Sequence, residues 1–210
     1  MDLIFFGMQG AGKGTLGKQL AEKYGFQIFE TGGELRKLSS EDTELGKKVK
    51  SIIDAGHLVS NEVVMEIVEN FLKTLPTNTN VLFDGIPRKI EQANSLNALL
   101  EKNGREYKAV LIDIKKETAL KRLTTRRICG KCKAVYPADY KEQNCASCGG
   151  ELTTRADDNP EAIKTRLDAF ENETLPAINL YNDKLIKIDG EPTIDEVFKI
   201  AVQTLDPILK

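Results

Sequence analysis

The 210-residue chain contains a single histidine, His57, and no visible pairing of a nucleophile with a general base. Chemistry that depends on a positioned base therefore has little to work with. An excess of charge of one sign is also missing. The formal net charge is −2 and the pI about 5.7, so no overall basic field favours nonspecific attachment to nucleic acid or a membrane surface. Any cationic site must be local. No apolar run reaches the length of a membrane span. Met1-Asp2 leads straight into the first apolar run with neither a basic region nor a cleavage site, so a soluble cytoplasmic protein is expected. Internal repeats and low-complexity tracts are absent, and no feature calls for an obligate dimer; a monomer is expected. Cysteine is confined to one stretch: all four lie between residues 129 and 148, unlike disulfides spread through a secreted scaffold.

What is present suffices for one domain of ordinary size with small inserted lobes, since 40% of the residues are hydrophobic. The apolar run Leu3-Ile4-Phe5-Phe6 ends in GMQGAGKGT, residues 7–15. Repeated glycines let a backbone turn sharply and a ligand approach closely. Gly7-x-x-x-x-Gly12-Lys13, between an apolar strand and a helical pattern (Leu16, Leu20, Tyr24), has the form of a phosphate-cradling loop. Its hydroxyl residue is displaced by one position, to Thr15 after Gly14.

Strand-like runs recur at 3–6, 26–29, 81–83, 109–114 and 185–188, separated by helical patterns at 13–24, 61–73, 90–102, 116–126 and 160–181. This alternation predicts an α/β fold, a parallel sheet covered by helices on both faces. Two segments break it: a polar helical stretch at about 31–59, and a stretch at about 128–155 rich in cysteine and glycine that reads as an inserted knuckle.

Cys129-x-x-Cys132 and Cys145-x-x-Cys148, twelve residues apart, have the spacing of a zinc ribbon with four thiolates; two disulfides are the alternative, and iron would also suit the donors. A closed four-sulfur site would hold structure and leave no position for catalysis. Arg122, Arg126 and Arg127 precede the insert, and Arg155 and Arg166 follow it. Arg122 and Arg126 are expected to share a helix face, with a folded knuckle bringing Arg155 to the same place, while Arg127 reads as solvated. Forked guanidinium groups suit the spread charge of a phosphoryl group. Asp157 and Asp158 are candidates to orient these arginines or metal-bound water. Asp84-Gly85-Ile86-Pro87-Arg88 follows Val81-Leu82-Phe83, which places Asp84 to hold the water shell of Mg²⁺ and Arg88 to clamp a second anion.

Together these residues resemble the adenylate kinase family in its long-lid, zinc-bearing form common in bacteria. The resemblance covers nearly the whole chain and rests on GMQGAGKGT, Thr31-Gly32 with Arg36, GHLV at 56–59, DGIPR at 84–88 with Gln92, RLTTRR at 122–127, the cysteines, and ELTTRADD at 151–158 with Arg166. It implies a five-stranded parallel P-loop core (residues 1–29, 60–121 and 160–210), a helical monophosphate-binding lobe (30–59) and a zinc-ribbon lid (122–159). It further implies ATP held by Gly10, Ala11, Gly12, Lys13, Gly14, Thr15, Arg122, Arg126 and Tyr136. AMP would be held by Thr31, Arg36, His57, Leu58, Val59, Gly85, Arg88, Gln92, Arg155 and Arg166. Lys13, Arg88, Arg126, Arg155 and Arg166 would serve catalysis, with Mg²⁺ accompanying ATP and structural Zn²⁺ in the lid. The implied reaction is ATP + AMP ⇌ 2 ADP.

Several positions depart from the family pattern. Gly33 stands for a common aspartate, Glu30 for a small polar residue, Ile86 for phenylalanine and Gln9 for proline; altered AMP affinity and magnesium-water ordering are expected. Two other readings stay open: a kinase for UMP or CMP on the same scaffold, and a non-catalytic P-loop module whose ribbon contacts RNA or a partner.

Overall fold

The computed structural model describes residues 1–137, 140–155 and 158–209. The chain begins with strand β1 (Asp2–Phe6), helix α1 (Lys13–Tyr24) and strand β2 (Gln27–Glu30), then helices α2 (Thr31–Ser39), α3 (Glu44–Asp54) and α4 (Asn61–Thr74). Strand β3 (Val81–Asp84), helix α5 (Ile90–Lys102), strand β4 (Tyr107–Asp113) and helix α6 (Lys116–Thr125) follow. Three short strands come next, β5 (Arg127–Cys129), β6 (Val135–Tyr136) and β7 (Leu152–Thr153), before helices α7 (Pro160–Ala169) and α8 (Leu175–Ile178), strand β8 (Leu185–Asp189) and helix α9 (Ile194–Leu209).

The long strands form one parallel sheet in the order β2-β3-β1-β4-β8. Because helices cover both faces, these strands are nearly continuous apolar runs, and successive side chains enter opposite layers. Ile4, Phe6, Val81, Phe83, Ala109 and Leu111 face one core with α4 and α5. Leu3, Phe5, Leu82, Val110 and Ile112 face the other, with α1 and α9. The five-stranded parallel architecture is thus as the sequence implies.

The segment 30–59 folds as α2 and α3, the latter capped by Thr43, whose hydroxyl accepts the Gly46 N–H at 2.9 Å. It has no core of its own among the described residues: Leu35, Val49 and Val59 join the cluster of Phe29 and Phe83. The cysteine insert does, with Cys129, Tyr136, Cys145 and Leu152 packed around a small antiparallel sheet in the order β6-β5-β7.

Two elements differ from the sequence expectation. The helical run expected over 160–181 is broken: α7 gives way to a π-turn at Phe170–Thr174, then α8, then a 3-10 turn at Asn179–Lys184. Pro176 lacks the N–H that an unbroken α-helix would donate to the carbonyl four residues earlier, which accounts for the irregular hydrogen bonding. Helix α9 was not anticipated. Its signals are a capping box, in which the Thr193 N–H donates to Glu196 Oε2 at 3.0 Å, and buried Val197, Ala201 and Leu205 at intervals of four.

The start of the sheet is tied by Asp2, 2% exposed, whose carboxylate accepts the Val81 N–H at 2.8 Å and two Arg105 N–H groups at 2.6 and 2.8 Å. Asp2→Ala leaves both donors without this acceptor, and a loss of about 2–4 kcal/mol is expected in urea unfolding. Lys50→Ala, which removes only the exposed pair with Asp54, should cost less than about 0.5 kcal/mol by the same measurement.

Candidate functional site

All the parallel strands point their carboxyl ends at one edge, where the connections turn in opposite directions on either side of β1, the usual place for a ligand crevice in such sheets. The loop after β1 hugs β4 and α6. A Cβ on Gly7 (φ 146°) would lie 2.6 Å from the Ile112 carbonyl oxygen, and one on Gly10 (φ 87°) 2.9 Å from that of Ala119. Gly12, also left-handed, precedes α1 with no side-chain cap, and no acidic residue stands in the first turn. The N–H groups of Gly14, Thr15 and their neighbours are thereby left to an outside anion. Ala11 is buried against the core beneath them.

Lys13 folds back over this loop and donates to the carbonyls of Gly7 (2.7 Å) and Met8 (3.0 Å). Removal of its ammonium from water lowers its pKa to about 8, against the pull of Asp84, while Arg88 and Arg126 push it further down. Asp84 ends β3, is 8% exposed, and is pushed above the usual carboxylate range by burial, although Lys13 opposes the shift. A Cβ on Gly14 would lie 3.6 Å from Asp84 Oδ2, so this carboxylate stands directly beneath the start of α1.

Arg88 is braced from three sides. Its N–H donates to Gln92 Oε1 (2.9 Å), its Nε to the Gly85 carbonyl (2.9 Å), and its own carbonyl accepts the Thr174 hydroxyl (3.0 Å). Burial lowers its pKa, and the fields of Arg166, Arg36 and Arg155 lower it further. Gln92 is 3% exposed; with Oε1 facing the Arg88 N–H, its amide N–H groups are those left to offer. A cavity of about 40 Å³ opens between the two cations, lined by Gly7, Gln9, Lys13, Gly85, Pro87 and Arg88. Among the described residues the Thr31 hydroxyl, next to Gly85, is buried with no partner. Arg36 pairs with Glu30 at 2.9 Å. His57 is exposed, Leu58 half-buried and Val59 part of the core.

Asp158 gathers the arginines around the insert. It accepts from Arg126 at 2.5 and 2.7 Å and from Arg166 at 2.8 Å. Desolvation lowers the Arg126 pKa against the Asp158 hydrogen bond, and Arg155 and Arg166 add to the lowering. Asp157 lies outside the described residues. The expected common face of Arg122 and Arg126 is not formed. Arg126 lies just past the end of α6, whereas Arg122 donates to the carbonyls of Gly190 (3.0 Å) and Glu191 (3.1 Å) after β8. Arg127 is not merely solvated: its guanidinium donates to the carbonyls of Glu142 and Tyr140. Tyr136 is 8% exposed, with its hydroxyl donating to Cys145 Sγ (3.1 Å) and accepting the Ala146 N–H (2.9 Å), so only its ring remains to meet a ligand. Ile86 is fully buried in the core and can reach a ligand only through packing.

The four thiols are free, which sets aside the disulfide alternative. Cys129 and Cys148 sulfurs lie 3.4 Å apart, as do those of Cys132 and Cys145, and all four fall within 4.8 Å of one another. Sulfurs around a tetrahedral ion at about 2.3 Å are separated by about 3.8 Å, so the cluster matches such a site in size and donor chemistry.

A profile of the adenylate kinase family matches residues 5–186. The chain is 41% identical over 212 residues to the adenylate kinase of Alkaliphilus oremlandii, with 98% of each chain covered. It is 40% identical over 215 residues to that of Archaeoglobus fulgidus, with 99% of each covered. Identity to that of Fervidobacterium nodosum is 38% over 212 residues, covering 98% of this chain and 97% of the other.

Phosphate binding should reverse the Lys13 shift, because an anion beside the ammonium favours its charged form. Binding then takes up a proton above pH 8, and affinity for ATP should fall by about tenfold between pH 7.5 and 9. Calorimetry at pH 8.5 in two buffers of different ionisation enthalpy should register that uptake, and Lys13→Met should abolish it. Equal heats in both buffers for the unaltered protein would contradict the assignment.

Proposed function

The chain belongs to the adenylate kinase family and is a nucleoside monophosphate kinase, and we propose that it moves the terminal phosphoryl group of Mg-ATP in line onto AMP, yielding two ADP. The observation that carries the assignment of roles is the gathering of cations at this edge: Lys13 and Arg88 line one cavity, Arg126 and Arg166 share Asp158, and the fields of Arg36 and Arg155 reach Arg88. In this reading the loop of residues 10–15 cradles the ATP phosphates and Arg122 borders the nucleotide. Thr31, Arg36, the 57–59 segment, Gly85, Arg88 and Gln92 receive AMP.

The acceptor phosphate is largely dianionic at neutral pH, with its second pKa near about 6, so transfer needs no general base. Arg88 and Arg36 hold the attacking phosphate, while Lys13, Arg126, Arg155 and Arg166 meet the charge spread over the group in transit. Asp84, buried beneath Gly14, and Thr15 at the start of α1 are suited to hold hydrated Mg²⁺, which when bound neutralises phosphate charge. We assign residues 30–59 and 122–159 as the two lobes that close over the substrates, the remainder being the core. Their closure would exclude water from the reacting phosphate. We take the protein to be a cytoplasmic monomer, its unbridged cysteines being suited to a reducing compartment.

ADP formation from Mg-ATP measured with AMP, UMP, CMP and GMP tests the reading. Turnover should be fastest with AMP, and Lys13→Ala and Arg88→Ala should each lower kcat by about 100-fold or more. Preference for another monophosphate would overturn the base assignment, and no turnover with any would overturn the transfer itself.

The four-cysteine cluster fits Zn²⁺, and we assign zinc to it as a structural ion. Chelation of the metal-loaded protein should release one zinc and lower the melting temperature, because among the described residues the insert's own core is small and includes two of the cysteines themselves. Cys145→Ser should reproduce the loss; bound iron in place of zinc, or unchanged melting after metal release, would count against it.

A further inference from the structure

We propose that Glu30 is a positioning residue that occupies Arg36 as an internal counter-ion, and that the phosphate of AMP binds by displacing it. The inference rests on the assignment of Arg36 to that phosphate. Glu30 ends β2, opposite Asp84 in the strand register, and its Oε1 accepts from Arg36 Nη2 at 2.9 Å. The two side chains reach each other over the first turn of α2, Arg36 backwards and Glu30 forwards, and two bare backbone positions make this possible. A Cβ on Gly32 would lie 3.0 Å from Arg36 Nη1, and one on Gly33 would lie 3.3 Å from Glu30 Oε2. The Gly32-Gly33 pair is thus the trough in which the ion pair lies, and any side chain at Gly33 would project toward the Glu30 carboxylate.

The trough lies beside the candidate phosphate site. The Thr31 hydroxyl, which has no partner among the described residues, Gly85 and Arg88 adjoin it, and Arg36 lies near enough to Arg88 to lower its pKa. A guanidinium held by a carboxylate through one N–H keeps most of its donors available, and a dianionic phosphate offers it a stronger, forked partner. Both side chains are about half exposed, 41% for Arg36 and 49% for Glu30, so the pair is weak enough to be exchanged. Glu30 therefore keeps Arg36 aligned before AMP arrives and makes AMP compete for it.

The test is AMP binding by calorimetry to the whole protein and to Glu30→Gln, Arg36→Ala and the double variant, with adenosine as the probe lacking phosphate. Glu30→Gln should bind AMP about two- to fivefold more tightly at low salt, and the gain should shrink at about 0.5 M salt. Adenosine affinity should not change. In the Arg36→Ala background the gain should vanish, because no latch remains to be released. A gain of equal size in that background would show simple repulsion between Glu30 and the phosphate and overturn the proposal. Unchanged or weaker AMP binding by Glu30→Gln would overturn it as well. If the unaltered protein binds adenosine and AMP equally, the assignment of Arg36 to phosphate falls first, and the inference with it.

Discussion

Mutual repulsion among cations is the constraint around which this molecule is organised. Lys13, Arg88, Arg126 and their neighbours stand close enough to disturb one another's protonation, at an edge of the sheet where burial makes charge expensive. They remain there because each is held by something fixed. Lys13 rests on two loop carbonyls, Arg88 on Gly85, and Arg126 shares Asp158 with Arg166. Asp84, Asp158 and Glu30 stand among these cations, and the demand for anions at this edge is shared between them and any phosphate that binds. A polyphosphate bound there, as proposed, would find donors already in place, which is the electrostatic condition for stabilising a phosphoryl group in transit.

The fold supplies the rigidity that this arrangement requires. Five parallel strands buried on both faces place Asp84 and the loop after β1 at a common edge, and helices packed on either side hold their positions. Two of the connections that depart from this plan hold site residues in place. The break after α7 presents the Thr174 hydroxyl to the Arg88 carbonyl, and the turn after β8 supplies the carbonyls that hold Arg122. Irregular backbone is found where regular elements would present the wrong groups.

Much of this was legible in the sequence because it depends on short-range chemistry. The glycines and lysine after the first apolar run, the paired cysteines and the alternating apolar runs each require particular residues at particular spacings, and they fold as a left-handed turn into a helix, a cluster of four sulfurs and a parallel sheet. What was not legible depends on direction in space. Arg122 and Arg126 are four residues apart, yet the helix ends between them, so they go to different partners. Tyr136 could be counted as an aromatic of the insert, but only the fold shows its hydroxyl committed to Cys145. Glu30 and Gly33 were visible as separate departures from a pattern; that one fills the space vacated beside the other required coordinates. Helix α9 was missed for a different reason, since its Thr193/Glu196 box and its four-residue apolar spacing were both present in the sequence.

The way the chain enters and leaves the cysteine insert has a consequence for how such proteins can diverge. β5 and β7 are antiparallel partners, with Ile128 opposite Thr153 and Cys129 opposite Leu152, so the two crossings lie side by side at the distance of neighbouring strands. Among the described residues, the insert's cluster of Cys129, Tyr136, Cys145 and Leu152 shares no member with the two large cores. A segment with adjacent ends and a private interior can be shortened, lengthened or exchanged by recombination without re-registering the sheet. A change in its length or its donor set would leave the register of the parallel sheet untouched, provided the ends that carry Arg126 and Asp158 keep their places.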